Sequence, residues 1–164
     1  MTSKTRWALI TGVSNGGLGD ALSTELLSKN INVIASSVEL SLLDYLPSDS
    51  SNLKKIELNV TSSESINKAV DEVNSITGGR LDFIFNNAGY GYMMPLLDAP
   101  LSEVRKNFKV NVFGLLEVTQ AFFPMLRAAK GMVINQSSIA GMQAGCQPVY
   151  WDVECYKSGR DCYE

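Results

Sequence analysis

Apolar and polar positions along the chain follow two alternating rhythms. Trp7-Ala-Leu-Ile10 is a short apolar run closed by Thr11-Gly12, the pattern of a strand buried on both faces. From Leu18 the apolar residues recur at Ala21, Leu22, Leu26 and Leu27, the spacing of one helix face. Asn30 suits the left-handed position after such a helix, and Ile31-Asn-Val-Ile-Ala35 then reads as a second strand. Lys55-Ile-Glu-Leu-Asn-Val60 alternates like a third. Thr61 and Glu64 have capping-box spacing ahead of Ile66, Ala69, Val70 and Val73, and Gly78-Gly79 should end that helix. Leu81-Asp-Phe-Ile-Phe85 is a fourth strand pattern. Leu101 to Ala129 is a long helical stretch that Pro124 should bend or divide, and Met132-Val-Ile-Asn135 is a fifth strand.

Strands separated by helices require right-handed crossovers, so the expected fold is α/β, with a mostly parallel, doubly wound sheet. Leu46 to Asn52, rich in Ser and Asp, is the expected mobile surface loop. The 164 residues are 45% hydrophobic and 19% charged, which suits one soluble domain. A net charge of −3 offers no broad footprint for nucleic acid, yet backbone amides can still hold a phosphate locally.

Histidine is absent, which excludes a Ser-His-Asp triad, a Cys-His pair and every zinc site that uses histidine; no metal site is expected. Cys146, Cys155 and Cys162 form no CxxC and are expected to be free cytosolic thiols. The apolar run after Met1–Trp7 is too short for a signal peptide, and no later run could span a bilayer. The expected location is therefore the cytoplasm, with no transmembrane segment.

Thr11-Gly-Val-Ser-Asn-Gly-Gly-Leu-Gly19 carries the first chemical signal. It lies between a strand and a helix, where a dinucleotide-binding turn belongs. Gly12 permits a tight turn, Gly16 and Gly17 let the backbone approach a pyrophosphate, and Gly19 lets the helix pack on the sheet. Free amides at the helix start then face the anion. A glycine-rich connection without a ligand is the other reading of this segment alone.

Three further segments follow in order: Asn86-Asn-Ala-Gly89 after the fourth strand, Asn111 within Lys109-Val-Asn-Val-Phe-Gly114, and Ser137-Ser-Ile-Ala-Gly141. With the glycine turn, they make the chain resemble the short-chain dehydrogenase/reductase family from about residue 6 to 145. The double-glycine turn and Asn86 to Pro95 are most similar to fungal 1-acyl-dihydroxyacetone-phosphate reductase-like members.

The resemblance implies a Rossmann-type sheet and an NAD(P)-dependent oxidoreductase that reduces a carbonyl or oxidises an alcohol on a small or lipid-like substrate. It implies that Gly12, Ser14, Gly17, Leu18 and Gly19 hold the cofactor phosphates. Asn59 and Val60 would meet the adenine, the Asn59 amide oxygen accepting from the exocyclic amine. Asn87, Ala88 and Gly89 would line the adenosine ribose region and support the sheet. Asn111 would serve a proton relay through a bound water. Ser138, with Ser137 as second choice, would bond the substrate oxygen. Ala35-Ser-Ser-Val38 carries no acid for a ribose 2′-hydroxyl, and the Ser36 and Ser37 hydroxyls could donate to a phosphate, which favours NADP over NAD; Glu39 argues the other way.

The family completes its site with Tyr-x-x-x-Lys, the lysine lowering the tyrosine pKa. Moving a phenol from about 10 to near 7 is worth roughly 4 kcal/mol. Tyr150 stands near the expected distance from Ser138, but Glu154 follows four residues later, and a carboxylate there raises the phenol pKa. Lys157 lies about two helical turns from Tyr150, too far to couple. Shifting the frame by one base through the codons for Glu154 to Ser158 permits a segment similar to the one around the family lysine, without restoring the tyrosine. That points to a frameshift, a misplaced splice site or a mutated gene copy. The expected organisation is thus a dinucleotide-binding domain over 1–145 and an aberrant tail over 146–164. The later strands and helices are expected to be missing and catalysis impaired. A non-catalytic dinucleotide-binding or partner-binding remnant is the alternative, with a homo-oligomer or a partner at the exposed sheet flank.

Overall fold

The computed structural model describes residues 5–47, 51–92 and 94–138. Among these residues five strands form one sheet: β1 (Trp7–Ile10), β2 (Asn32–Ser37), β3 (Leu53–Glu57), β4 (Phe83–Asn86) and β5 (Met132–Asn135). Their order is β3-β2-β1-β4-β5, and every neighbouring pair is parallel. Alternate side chains of the central strands feed two cores. Ile10, Val33 and Ala35 pack with Leu22, Leu26 and Leu27 of helix α1 (Leu18–Ser28) on one face. Leu9, Ile34, Ile56 and Ile84 pack on the other face against α2 (Ser63–Thr77) and the helix holding Val118, Phe122, Met125 and Leu126. The result is a three-layer, Rossmann-type fold. Burying Phe122 completely contributes about 2–3 kcal/mol by area.

Local chemistry sets the element ends. Asn30 takes the left-handed conformation after α1 (φ 57°), and Gly78 and Gly79 do so after α2. The α2 cap is Ser62 rather than Thr61: its hydroxyl accepts from the Ser65 N–H at 3.3 Å. Thr61 is diverted because its own N–H and hydroxyl both donate to the Asn59 side chain. The same turn explains why β3 ends at Glu57 although the alternation runs on to Val60. Leu58 and Val60 stay buried, but the chain has left the ladder.

The long helical stretch is broken elsewhere than expected. Helix α3 (Leu101–Phe108) passes into a π-helical turn over Lys109–Gly114, then into α4 (Leu115–Ala129), which runs through Pro124 without ending. A proline removes one ladder bond, whereas the π turn sits where Gly114 packs against the Val60 carbonyl; a Cβ there would lie 2.8 Å from that oxygen. Leu46, expected at the start of a loose loop, is buried, and its carbonyl and that of Leu43 accept from the Lys55 ammonium. Among the described residues no helix is long and apolar enough to cross a membrane.

Candidate functional site

The carboxyl ends of β1 and β4 are adjacent, and the crossovers leave them in opposite directions, so a crevice opens between the two following turns. The turns are latched together. The Thr11 hydroxyl accepts from the N–H groups of Asn87 (3.1 Å) and Ala88 (2.9 Å). The Asn87 amide returns two bonds, donating to the carbonyls of Thr11 (2.8 Å) and Gly12 (3.0 Å). Gly12 sits at φ +66° with its Cα against Ala88, and Gly19 brings α1 onto Val13 and the Asn87 amide. Asn86 braces the same edge: its amide donates to Thr119 of α4 and to Asn135 of β5, both at 2.9 Å.

The turn into α1 presents backbone N–H groups of the kind that can receive an anion. Gly16 is left-handed (φ +69°) with open space around it. Ser14 and Leu18 are exposed at the rim, and Gly17 is half-buried beside Ser14. The N–H groups of Leu18 and Gly19 have no acceptor among the described residues, as expected for a first helical turn. Gly16 N–H is taken, donating to Asp20 Oδ2 at 3.1 Å.

Asp20 also receives Tyr45, tying the segment after β2 to this turn. Burial first, then the Asp20 charge and hydrogen bond, push the Tyr45 phenol from 10.0 up to about 12. Folding favours the protonated phenol, so its stabilisation is complete below pH 10 and is lost as pH rises through 12. Melting temperature against pH is therefore expected to fall over that window by a step that Tyr45→Phe lacks.

At the opposite side of the crevice, Asn111 lies in the π turn, almost wholly buried. Its amide donates to the Tyr90 carbonyl (2.9 Å) and Asn107 Oδ1 (3.1 Å), and its oxygen accepts from Tyr90 N–H (3.0 Å). Asn107, buried one turn earlier, also donates to the Tyr90 carbonyl at 2.9 Å. In the sequence Asn107 is marked only by its spacing of four from Asn111, which puts the two on one helix face.

The other expected positions divide. Asn87, Ala88 and Gly89 lie at the crevice, and Ser138 follows β5 at the same sheet edge. Ser36 does not reach the crevice as a free donor: it is fully buried and its hydroxyl donates to the Ile10 carbonyl at 2.9 Å. Ser37 is buried too, which leaves Val38 and Glu39 as the first exposed residues after β2. Val60 packs in the core, and the Asn59 oxygen is occupied by Thr61. Tyr150, Lys157 and the three cysteines lie outside the described residues.

Known proteins are similar to this chain in sequence and in fold. The family model of the short chain dehydrogenases matches residues 6–151. The chain belongs to that family. It is 38% identical over 138 residues to a short-chain dehydrogenase, srdE, of Neurospora crassa, covering 84% of this chain and 47% of that protein. It is 32% identical over 134 residues to the NADPH-dependent 1-acyldihydroxyacetone phosphate reductase of Schizosaccharomyces pombe, covering 82% of this chain and 45% of that one. A crystal structure of a short-chain dehydrogenase from Streptomyces avermitilis superposes with a TM-score of 0.75 at 29% identity, over 86% of this chain and 52% of the other. The chain spans about half the length of the relatives it matches.

Proposed function

We propose that this chain carries the nicotinamide dinucleotide site of a dehydrogenase that interconverts a carbonyl and an alcohol on a small or lipid-like substrate, with NADP favoured over NAD. The observation that carries this reading is the latch between Thr11-Gly12 and Asn87-Ala88. It holds the glycine turn open at the sheet's switch point and leaves first-turn amides of α1 free. The residues present fit a diphosphate: open space at Gly16, an exposed hydroxyl on Ser14 and free N–H groups on Leu18 and Gly19. The preference for NADP rests on the relative named as NADPH-dependent, whereas Glu39, exposed just after β2, favours NAD.

When bound, the nicotinamide supplies or takes the hydride at the substrate carbon. Ser138 would bond the substrate oxygen. Asn111 spends its amide holding Tyr90, so its part in the relay comes through the π turn, whose loosened backbone ladder can hold a water at a carbonyl. Tyr150 would exchange the proton with the substrate oxygen. Glu154 stands four residues on in the sequence where the family pattern has a lysine, so the cation that would lower the phenol pKa is missing from that position.

The 164-residue chain is therefore expected to bind NADPH, seen by fluorescence titration. It is also expected to oxidise NADPH about 10²–10⁴-fold more slowly than a complete relative. Absence of binding would overturn the proposal; turnover at a complete relative's rate would overturn its account of Tyr150.

A further inference from the structure

A carboxylate stands on the glycine turn, and the nearby cations are committed elsewhere. Asp20, the acid in the first turn of α1, is half-buried, and its Oδ2 accepts from the Gly16 N–H at 3.1 Å. It reaches back to Gly16 because the Gly17 N–H already donates to the Ser14 carbonyl at 3.0 Å. The Tyr45 hydroxyl donates to the same carboxylate and holds it in place. Between residues 5 and 47 the only cationic side chains are Arg6 and Lys29. Arg6 precedes β1, at the opposite edge of the sheet, and lies over the Phe83 ring. Lys29 caps the far end of α1 and pairs with Glu25 at 3.3 Å. Lys55 is drawn to the Leu43 and Leu46 carbonyls, and Lys106 lies over the Tyr90 ring across the crevice.

The magnitudes decide what this turn will hold. The start of a helix carries about half a positive charge. The carboxylate carries a full negative one, within about one turn, roughly 5 Å, of the free Leu18 and Gly19 N–H groups. The local sum is negative although hydrogen-bond donors point outward. Such a turn holds an anion by directed N–H bonds and resists additional charge on it. Each phosphate of a dinucleotide is a diester with a single negative charge. A nucleoside diphosphate ends instead in a free phosphate that carries about −1.5 to −2 at neutral pH. That added charge would meet the Asp20 carboxylate.

We propose that Asp20 is a specificity-determining residue that makes the glycine turn select a diphosphate esterified at both ends over one ending in a free phosphate. The inference rests on the dinucleotide reading above and deepens it. Selection comes from repelling the wrong ligand rather than from a further contact with the right one.

The test measures, by calorimetry, the dissociation constants of ADP and ADP-ribose for the wild-type chain, Asp20→Asn and Tyr45→Phe. The two ligands share adenosine and a diphosphate and differ in whether the terminal phosphate is esterified. Asparagine keeps an oxygen for the Gly16 N–H and removes the charge. Wild type is expected to bind ADP-ribose more tightly than ADP. Asp20→Asn is expected to shift the ratio about fivefold toward ADP at about 10 mM salt, the effect of a unit charge a few Å away. At about 1 M salt, where screening acts within about 3 Å, the wild-type ratio should approach that of the variant. Tyr45→Phe keeps the charge and should keep the wild-type ratio. A ratio that Asp20→Asn leaves unchanged at low salt overturns the inference, as does an equal shift in Tyr45→Phe; binding of NADPH would still uphold the dinucleotide reading. If neither ADP-ribose nor NADPH binds the wild-type chain, the dinucleotide reading fails and this inference falls with it.

Discussion

Gly12→Ala is expected to cost about 3 kcal/mol of stability and to abolish NADPH binding. Two effects add at this position. The backbone is left-handed (φ +66°), which costs a non-glycine residue about 1–2 kcal/mol. A Cβ would also stand 2.6 Å from the Ala88 Cα and 3.0 Å from its Cβ, in the middle of the latch. No rotamer relieves that clash, because the obstacle is backbone. The turn after β4 would have to move, and overpacking of this kind costs about 1–3 kcal/mol. Gly16 is the internal control. It has nearly the same dihedral (φ +69°) but nothing within 4 Å of its Cβ position. Gly16→Ala is therefore expected to cost only about 1 kcal/mol. Denaturant unfolding of both variants separates strain from clash; equal losses at the two glycines would contradict the role given to the latch.

Asn111→Leu is the second large effect. The asparagine satisfies three partners at once: the Tyr90 N–H, the Tyr90 carbonyl and Asn107 Oδ1. Leucine has a similar branched outline but is bulkier, and it makes none of those bonds. It leaves the Tyr90 N–H and the Asn107 oxygen without partners, and each such buried group costs about 1–3 kcal/mol. The expected loss is about 3 kcal/mol, together with loosening of the chain after Gly89 and weaker cofactor binding. Asn107→Leu is milder, about 1–2 kcal/mol, because Asn111 still serves both backbone groups of Tyr90. The double variant should lose less than the sum, since the two share a partner. Chemical denaturation of the three variants reads this order, and a larger loss at Asn107 than at Asn111 would contradict it.

What could be read from the sequence was whatever local chemistry dictates. The glycine turn was legible because Gly12 and Gly16 meet a backbone demand that few other residues satisfy. Asn30 and Gly78-Gly79 marked helix ends for the same reason. The strands of the central sheet were legible because burial on both faces leaves near-continuous apolar runs.

What escaped depended on residues far apart in the chain. The end of β3 was hidden because Leu58 and Val60 keep the alternation of burial while the Asn59 side chain folds the backbone away. Ser36 looked like a strand-end hydroxyl, but its partner is the Ile10 carbonyl on the neighbouring strand. Pro124 is the visible local signal for a helix discontinuity, whereas the π turn sits where Gly114 packs on Val60. Asn107 looked like any polar residue on a helix until Tyr90 was placed beside it.

The proposed function requires that the latched turns at the ends of β1 and β4 bind a nicotinamide dinucleotide. Amide hydrogen exchange of the chain with and without saturating NADPH tests it most directly. Added protection is expected over residues 11–19 and 86–90, with α2 unchanged. Exchange that NADPH leaves unaltered in both segments would contradict it.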